Sequence, residues 1–155
     1  MKIIINLLLL VLLLGMNQKV LSATCNKLAK NYKVGLVVSP TSPLEGPSRR
    51  FSLKIFKRIG VDKLSAFLKS IETSEESNIV LVKSCNSLSF ILPFTLKDTE
   101  GTYGTVGDSY LLNYDCNASV TKRNGTFTGS CQTKENIGDK QVTDIVELYG
   151  IVQRR

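Results

Sequence analysis

YLLNYDCNASVTKRNGTFTGSCQT, residues 110–133, is the stretch that decides the fold. Tyr110, Leu112, Tyr114, Cys116, Ala118 and Val120 fall at every second position, and Asn113, Asp115, Asn117, Ser119 and Thr121 fill the gaps. Successive side chains of a strand point to opposite faces, so this is a strand with one apolar face. Lys122-Arg123-Asn124-Gly125 reads as a turn, because Asn-Gly is a strong hairpin signal. Phe127, Gly129 and Cys131 then resume the alternation. A hairpin folded about Arg123-Asn124 pairs Val120 with Phe127 and Cys116 with Cys131, and one centred on Asn124-Gly125 shifts each partner by two. Either register keeps the two cysteines close together on the apolar face.

Similar alternation extends in both directions. Tyr32, Val34, Leu36 and Val38 have the spacing of a half-buried strand, as do Phe51, Leu53 and Ile55. Ile79 to Val82 is a short apolar strand. Leu88, Phe90, Leu92, Phe94 and Leu96 alternate most cleanly, with Pro93 on the other face, which predicts an edge strand or a bulge. The last segment, 142–152, has apolar residues on both faces and predicts a strand buried on both sides. One segment breaks the pattern. Leu64, Phe67, Leu68 and Ile71 lie at i, i+3, i+4 and i+7, the stripe of an amphipathic helix with Asp62 as its cap. Residues 39–48 and 97–109, rich in proline and glycine respectively, are expected as loops at the rim.

The amino terminus addresses the chain outward. Lys2 precedes an apolar run from Ile3 to Leu14, too short to span a bilayer, and the small residues Ser22 and Ala23 suit signal-peptidase cleavage. Residues 1–22 are therefore expected as a signal peptide and 23–155 as one secreted domain with no integral membrane segment. Cleavage removes Lys2 and Lys19 and no acid, so the mature chain stays basic. Its four cysteines, Cys25, Cys85, Cys116 and Cys131, imply two disulfides in an oxidising compartment. The hairpin favours Cys116–Cys131 with Cys25–Cys85. Bridges between directly opposed strand neighbours are strained and uncommon, so pairing of Cys85 with Cys116 or Cys131 stays open. Asn117-Ala118-Ser119 and Asn124-Gly125-Thr126 are N-glycosylation acceptors, which places Asn117 and Asn124 on the surface.

Composition excludes much chemistry. The chain has no histidine, so no Ser-His-Asp or Cys-His triad and no HExxH zinc site can form. No CxxC pair occurs, and neither a metal nor any other cofactor is expected. The glycines of 97–109 match no phosphate-binding motif. Asp144 and Glu147, in the last strand, need partners, most cheaply lysines. Arg49, Arg50, Lys54, Lys57, Arg58 and Lys63 form an uneven basic segment that suits an acidic protein face or a sulfated glycan. Nucleic acid is not expected, since only 7% of residues are aromatic and no recognition motif is present.

Glu147-Leu148-Tyr149-Gly150 resembles the last barrel strand of lipocalins, and that resemblance implies a barrel enclosing a small apolar ligand. The tryptophan motif of a lipocalin's start is missing. An early helix followed by a meander is similar to cystatin-like folds, although their QxVxG stretch is missing too. The expected fold is α+β, mainly β: an antiparallel sheet or small barrel of about seven strands with one packed amphipathic helix. The expected function is extracellular binding without catalysis, through the basic segment, of a protein or an anionic glycan. The alternative is a lipocalin-like carrier of a small apolar ligand, using the inward faces around Phe90, Phe94, Tyr110, Leu112 and Tyr114.

Overall fold

The computed structural model describes residues 25–44, 48–121 and 124–153. The segment expected as a signal peptide, its expected cleavage site and residues 122–123 lie outside them. Eight strands run in chain order: β1 (Asn31–Val37), β2 (Ser48–Arg58), β3 (Lys63–Ser70), β4 (Glu76–Ser84), β5 (Ser87–Lys97), β6 (Ser109–Val120), β7 (Phe127–Ile137) and β8 (Lys140–Val152). Each pairs antiparallel with the next, and β1 also pairs with β8, from Tyr32↔Val152 to Val37↔Glu147, which closes a barrel.

The mainly β expectation holds, but the expected helix is overturned: there is no helix among the described residues, and its segment is β3. The misreading has a physical cause. Leu64 and Leu68 are four apart, a spacing that places two side chains on one side of a strand as well as of a helix. In β3 the inward positions are Leu64, Ala66, Leu68 and Ser70. Phe67 points outward and packs edge-on against Phe56, with ring centroids 6.2 Å apart, and Ile71 is exposed. Pairing with β2 on one side and β4 on the other satisfies the backbone in a way an isolated helix stripe could not reveal. Asp62 caps nothing; its carbonyl accepts the Lys83 N–H.

Inward faces carry the core. Along β6 the buried residues are every second one from Leu112 to Val120. Val120 sits opposite Phe127 and Cys116 opposite Cys131, the register of a hairpin folded about residues 123–124. Two disulfides join Cys116 to Cys131 and Cys25 to Cys85. β8 is buried on one face only: Val142, Val146 and Leu148 are inside, whereas Ile145 and Ile151 are 63% and 55% exposed. Closure of the barrel, not burial on both sides, absorbs this strand. Gly150 faces inward where a side chain would collide with the Phe127 ring, so the aromatic fills the place of the missing Cβ.

The wall opens along one seam. β5 pairs with β6 over its whole length, but with β4 only from Val82↔Ser89 to Ser84↔Ser87. The N–H of Asn113, opposite Pro93, points away from β5 to Glu135. Pro93 is thus in a non-hydrogen-bonded pair with Asn113, and its donorless nitrogen faces the open seam, where no ladder bond is lost.

Candidate functional site

The barrel has two ends. The proximal end carries residues 25–30, the turns 59–62 and 85–86, and residues 121 and 124–126 between β6 and β7; the distal end carries 38–44, 71–75, 98–108 and 138–139. Residues 25–30 lie across the proximal opening and are fastened on one side. Cys25 is bonded to Cys85, the Asn26 side-chain amide donates to the Val120 carbonyl at 2.6 Å, and the Asn26 N–H donates to Asn86 Oδ1 at 3.3 Å. The buried Tyr32 hydroxyl links the segment to the β6–β7 turn, accepting from the Ala29 N–H at 2.7 Å and donating to the Gly125 carbonyl at 2.8 Å. Burial pushes the Tyr32 phenol above its ordinary pKa, against the opposing effect of the Ala29 bond. Gly125 has φ +69°, and a Cβ there would stand 2.7 Å from the Lys27 carbonyl, so turn and segment meet backbone to backbone.

On the other side, facing the ends of β2 and β3, the segment leaves a cleft of about 660 Å³. Its floor is apolar: Leu28, Ala29, Ile55 and Leu64, all partly buried against the core. A one-residue irregularity in β2 between Ile55 and Lys57 turns Phe56 outward onto the rim, 53% exposed, and Val61 stands beside it at 88%. Lys27, Lys30, Lys57, Arg58 and Lys83 also line the cleft, against one acid, Asp62. Arg58 donates through Nε to the Gly60 carbonyl at 2.8 Å and through Nη2 to the Val61 carbonyl, which braces the rim turn. Lys83 donates to the Cys85 carbonyl at 2.6 Å. Lys27, Lys30 and Lys57 make no side-chain hydrogen bond or ion pair among the described residues, whose ion pairs are Arg50–Glu72 and Lys69–Glu76. Such an arrangement can hold an anion beside an apolar group.

The basic segment is not one patch. Arg50 is outward at the distal end and paired to Glu72 at 3.0 Å; Lys54 lies over the Phe56 ring at 5.4 Å. Lys57 and Arg58 reach the cleft, while Lys63 shares that end without lining it. Arg49 points inward at the distal end, 5.6 Å from the Phe94 ring centroid, with a buried Nε that has no partner. The cleft beside it, about 30 Å³, has room for little more than water. Lys27, Lys30 and Lys83 join the site from distant parts of the sequence, and no local signal marks them.

The remaining candidates resolve into structure. Asp144 is buried and meets hydroxyls, not a lysine: Ser42 Oγ donates to Oδ2 at 2.5 Å and Tyr114 at 2.9 Å. Burial first, and then the Asp144 carboxylate, raise the Tyr114 phenol far above its usual range. Glu147 is exposed. Phe90, Leu112 and Tyr114, expected around an apolar ligand, are buried in the packed core, with Phe94 and Tyr110 partly buried at its edge. A groove of about 600 Å³ on the outer wall mixes Lys134 with Asp115 and Glu135, and Glu135 already accepts from Asn113. Among the described residues no cluster of acids and cysteines could hold a metal ion, and no helix is long and apolar enough to cross a membrane. Asn117 points outward from β6 and Asn124 is exposed in the turn; neither lines the cleft. No family model matches the chain, and no curated protein is significantly similar to it.

Proposed function

We propose that this is a secreted, non-catalytic binding protein whose ligand is an anion held at the proximal end of the barrel. The observation that carries this reading is the cleft itself: Lys27, Lys30 and Lys57 converge there without acidic partners, while the ion pairs lie elsewhere. Unpaired cations around a concave surface attract and retain negative charge. Export rests on the signal peptide at 1–22, and the two disulfides fit an oxidising compartment. Cleavage after Ser22 or Ala23 puts the new α-ammonium one or two residues before Cys25, which lines the cleft. Asn117 and Asn124 do not line the cleft, so no glycan would be rooted in it.

Salt elution from immobilised heparin, a generic polyanion, tests the reading. Lys27→Glu, Lys30→Glu and Lys57→Glu together should elute at markedly lower salt than the parent. Lys97→Glu, Lys134→Glu and Lys140→Glu, with the same net charge, should elute close to it. Equal losses in the two triples would make net charge the sole cause and overturn the proposal.

A further inference from the structure

Resting on the proximal end as an anion site, we infer that its ligand is a single-chain amphiphile: one acyl chain ending in a carboxylate, sulfate or phosphate. Cations alone do not require a floor of Leu28, Ile55 and Leu64, nor a rim carrying Phe56 and Val61 in water. Exposed apolar side chains gathered around a recess are a liability unless something covers them. Leu28, Ala29, Ile55 and Leu64 are partly buried, whereas Lys27, Lys30 and Lys57 are exposed, so a ligand that uses both sets must carry both chemistries. A volume of about 660 Å³ lies inside the range of small-molecule sites, roughly 300–1,000 Å³.

The core limits where the tail can go. Leu53 and Ala66, the next inward residues of β2 and β3, are fully buried, so the barrel is sealed directly beneath the floor. The acyl chain therefore lies along the cleft and does not thread the barrel, and its useful length is finite. Recession also favours a free amphiphile over a membrane surface: Leu28, Ala29, Ile55 and Leu64 are partly buried, and a chain that enters the cleft meets them more readily than a flat bilayer does.

Calorimetric titration of the oxidised protein with hexanoate, octanoate, decanoate and dodecanoate, all below micelle-forming concentrations, tests the inference. One molecule should bind, up to about fourfold more tightly per added methylene, until the cleft is full and affinity levels off. Lys30→Ala with Lys57→Ala should weaken dodecanoate roughly tenfold or more. Val61→Ser, at a position 88% exposed, should also weaken it while leaving the unfolding temperature close to the parent's. Phe56→Ser should weaken it further, with a small loss of stability because the ring also packs on Phe67. Acetate binding as tightly as dodecanoate would reduce the site to a plain anion site and overturn the inference. Heparin elution that depends on the proximal lysines, without dodecanoate binding, would retain the anion site and discard the amphiphile. Sedimentation with phosphatidylserine vesicles, again without dodecanoate binding, would mean a membrane surface and equally discard it. If neither heparin elution nor dodecanoate binding responds to these lysines, both readings fall.

Discussion

The two ends of the barrel are closed in opposite ways. The distal loops carry Glu72, Glu75, Asp98, Glu100, Asp108 and Asp139 and, among the described residues, no lysine or arginine. Several of these acids have local partners. Asp98 accepts the N–H groups of Thr102, Tyr103 and Gly104 at 2.7–3.0 Å, Asp108 accepts that of Thr105, and Glu72 takes both the guanidinium and the N–H of Arg50. Beneath them, Asp144 ties the 38–44 loop to β6 through Ser42 and Tyr114. The proximal end is closed by a disulfide and a fastened segment, and among the described residues Lys27, Lys30 and Lys57 there make no ion pair. Charges satisfied within the chain hold a loop in place; charges left unsatisfied around a recess are available to something else.

The largest effect that can break this contrast comes from the disulfides. The Cys25–Cys85 link spans 60 residues and Cys116–Cys131 spans 15. On chain entropy alone, removing the first costs about 4 kcal/mol and the second about 3 kcal/mol. Urea unfolding of Cys25→Ser/Cys85→Ser and of Cys116→Ser/Cys131→Ser should therefore rank them in that order. Only the first should abolish dodecanoate binding, because it frees one wall of the cleft. Equal loss of binding in both would mean that the cleft depends on the whole barrel and not on the fastened segment.

Tyr114→Phe comes next. It removes a buried hydroxyl that donates to a carboxylate, at a cost of about 2 kcal/mol, and leaves Ser42 as the remaining donor. Hydrogen exchange should quicken in 38–44 while the proximal cleft keeps its affinity. A fall in affinity would show that the two ends are coupled through the core.

The smallest effect is local and pH-dependent. Burial pushes the Asp98 carboxyl up, but the N–H groups of Tyr103, Thr102 and Gly104 outweigh it and hold the carboxyl below its usual value. A depressed folded pKa gives stability that is present above the unfolded value, about 3.9, and is lost as pH falls through the folded one. The 98–108 loop should thus stay closed at pH 5 and open only well into the acid range. The edge-on Tyr103–Tyr110 pair reports it in near-ultraviolet dichroism, with no tryptophan in the chain to mask the signal. Loosening at pH 5 would show that backbone donors do not govern this loop.

How much of this could be read from the chain depends on how local each feature is. Alternation over 110–133 contains its own register, because the turn limits the pairing to two choices and each puts Cys116 and Cys131 on the core side. The 63–70 segment was illegible for an equally local reason: Leu64 and Leu68 satisfy both periods, and only pairing to β2 and β4 separates them. Asp144 announced that it needed a partner but not which one, since Ser42 and Tyr114 are 102 and 30 residues away.

The amino-acid sequence by itself determined the strands with one apolar face, the hairpin and its cysteine pair, and the absence of histidine chemistry, because these depend on neighbours along the chain. Tertiary structure alone decided that β1 meets β8, that the run from Arg49 to Lys63 divides between the two ends, and that Lys27, Lys30 and Lys83 join Lys57 around an apolar floor. Charges separated by tens of residues become one site only after barrel closure brings the strand ends together, and no spacing along the chain encodes that distance.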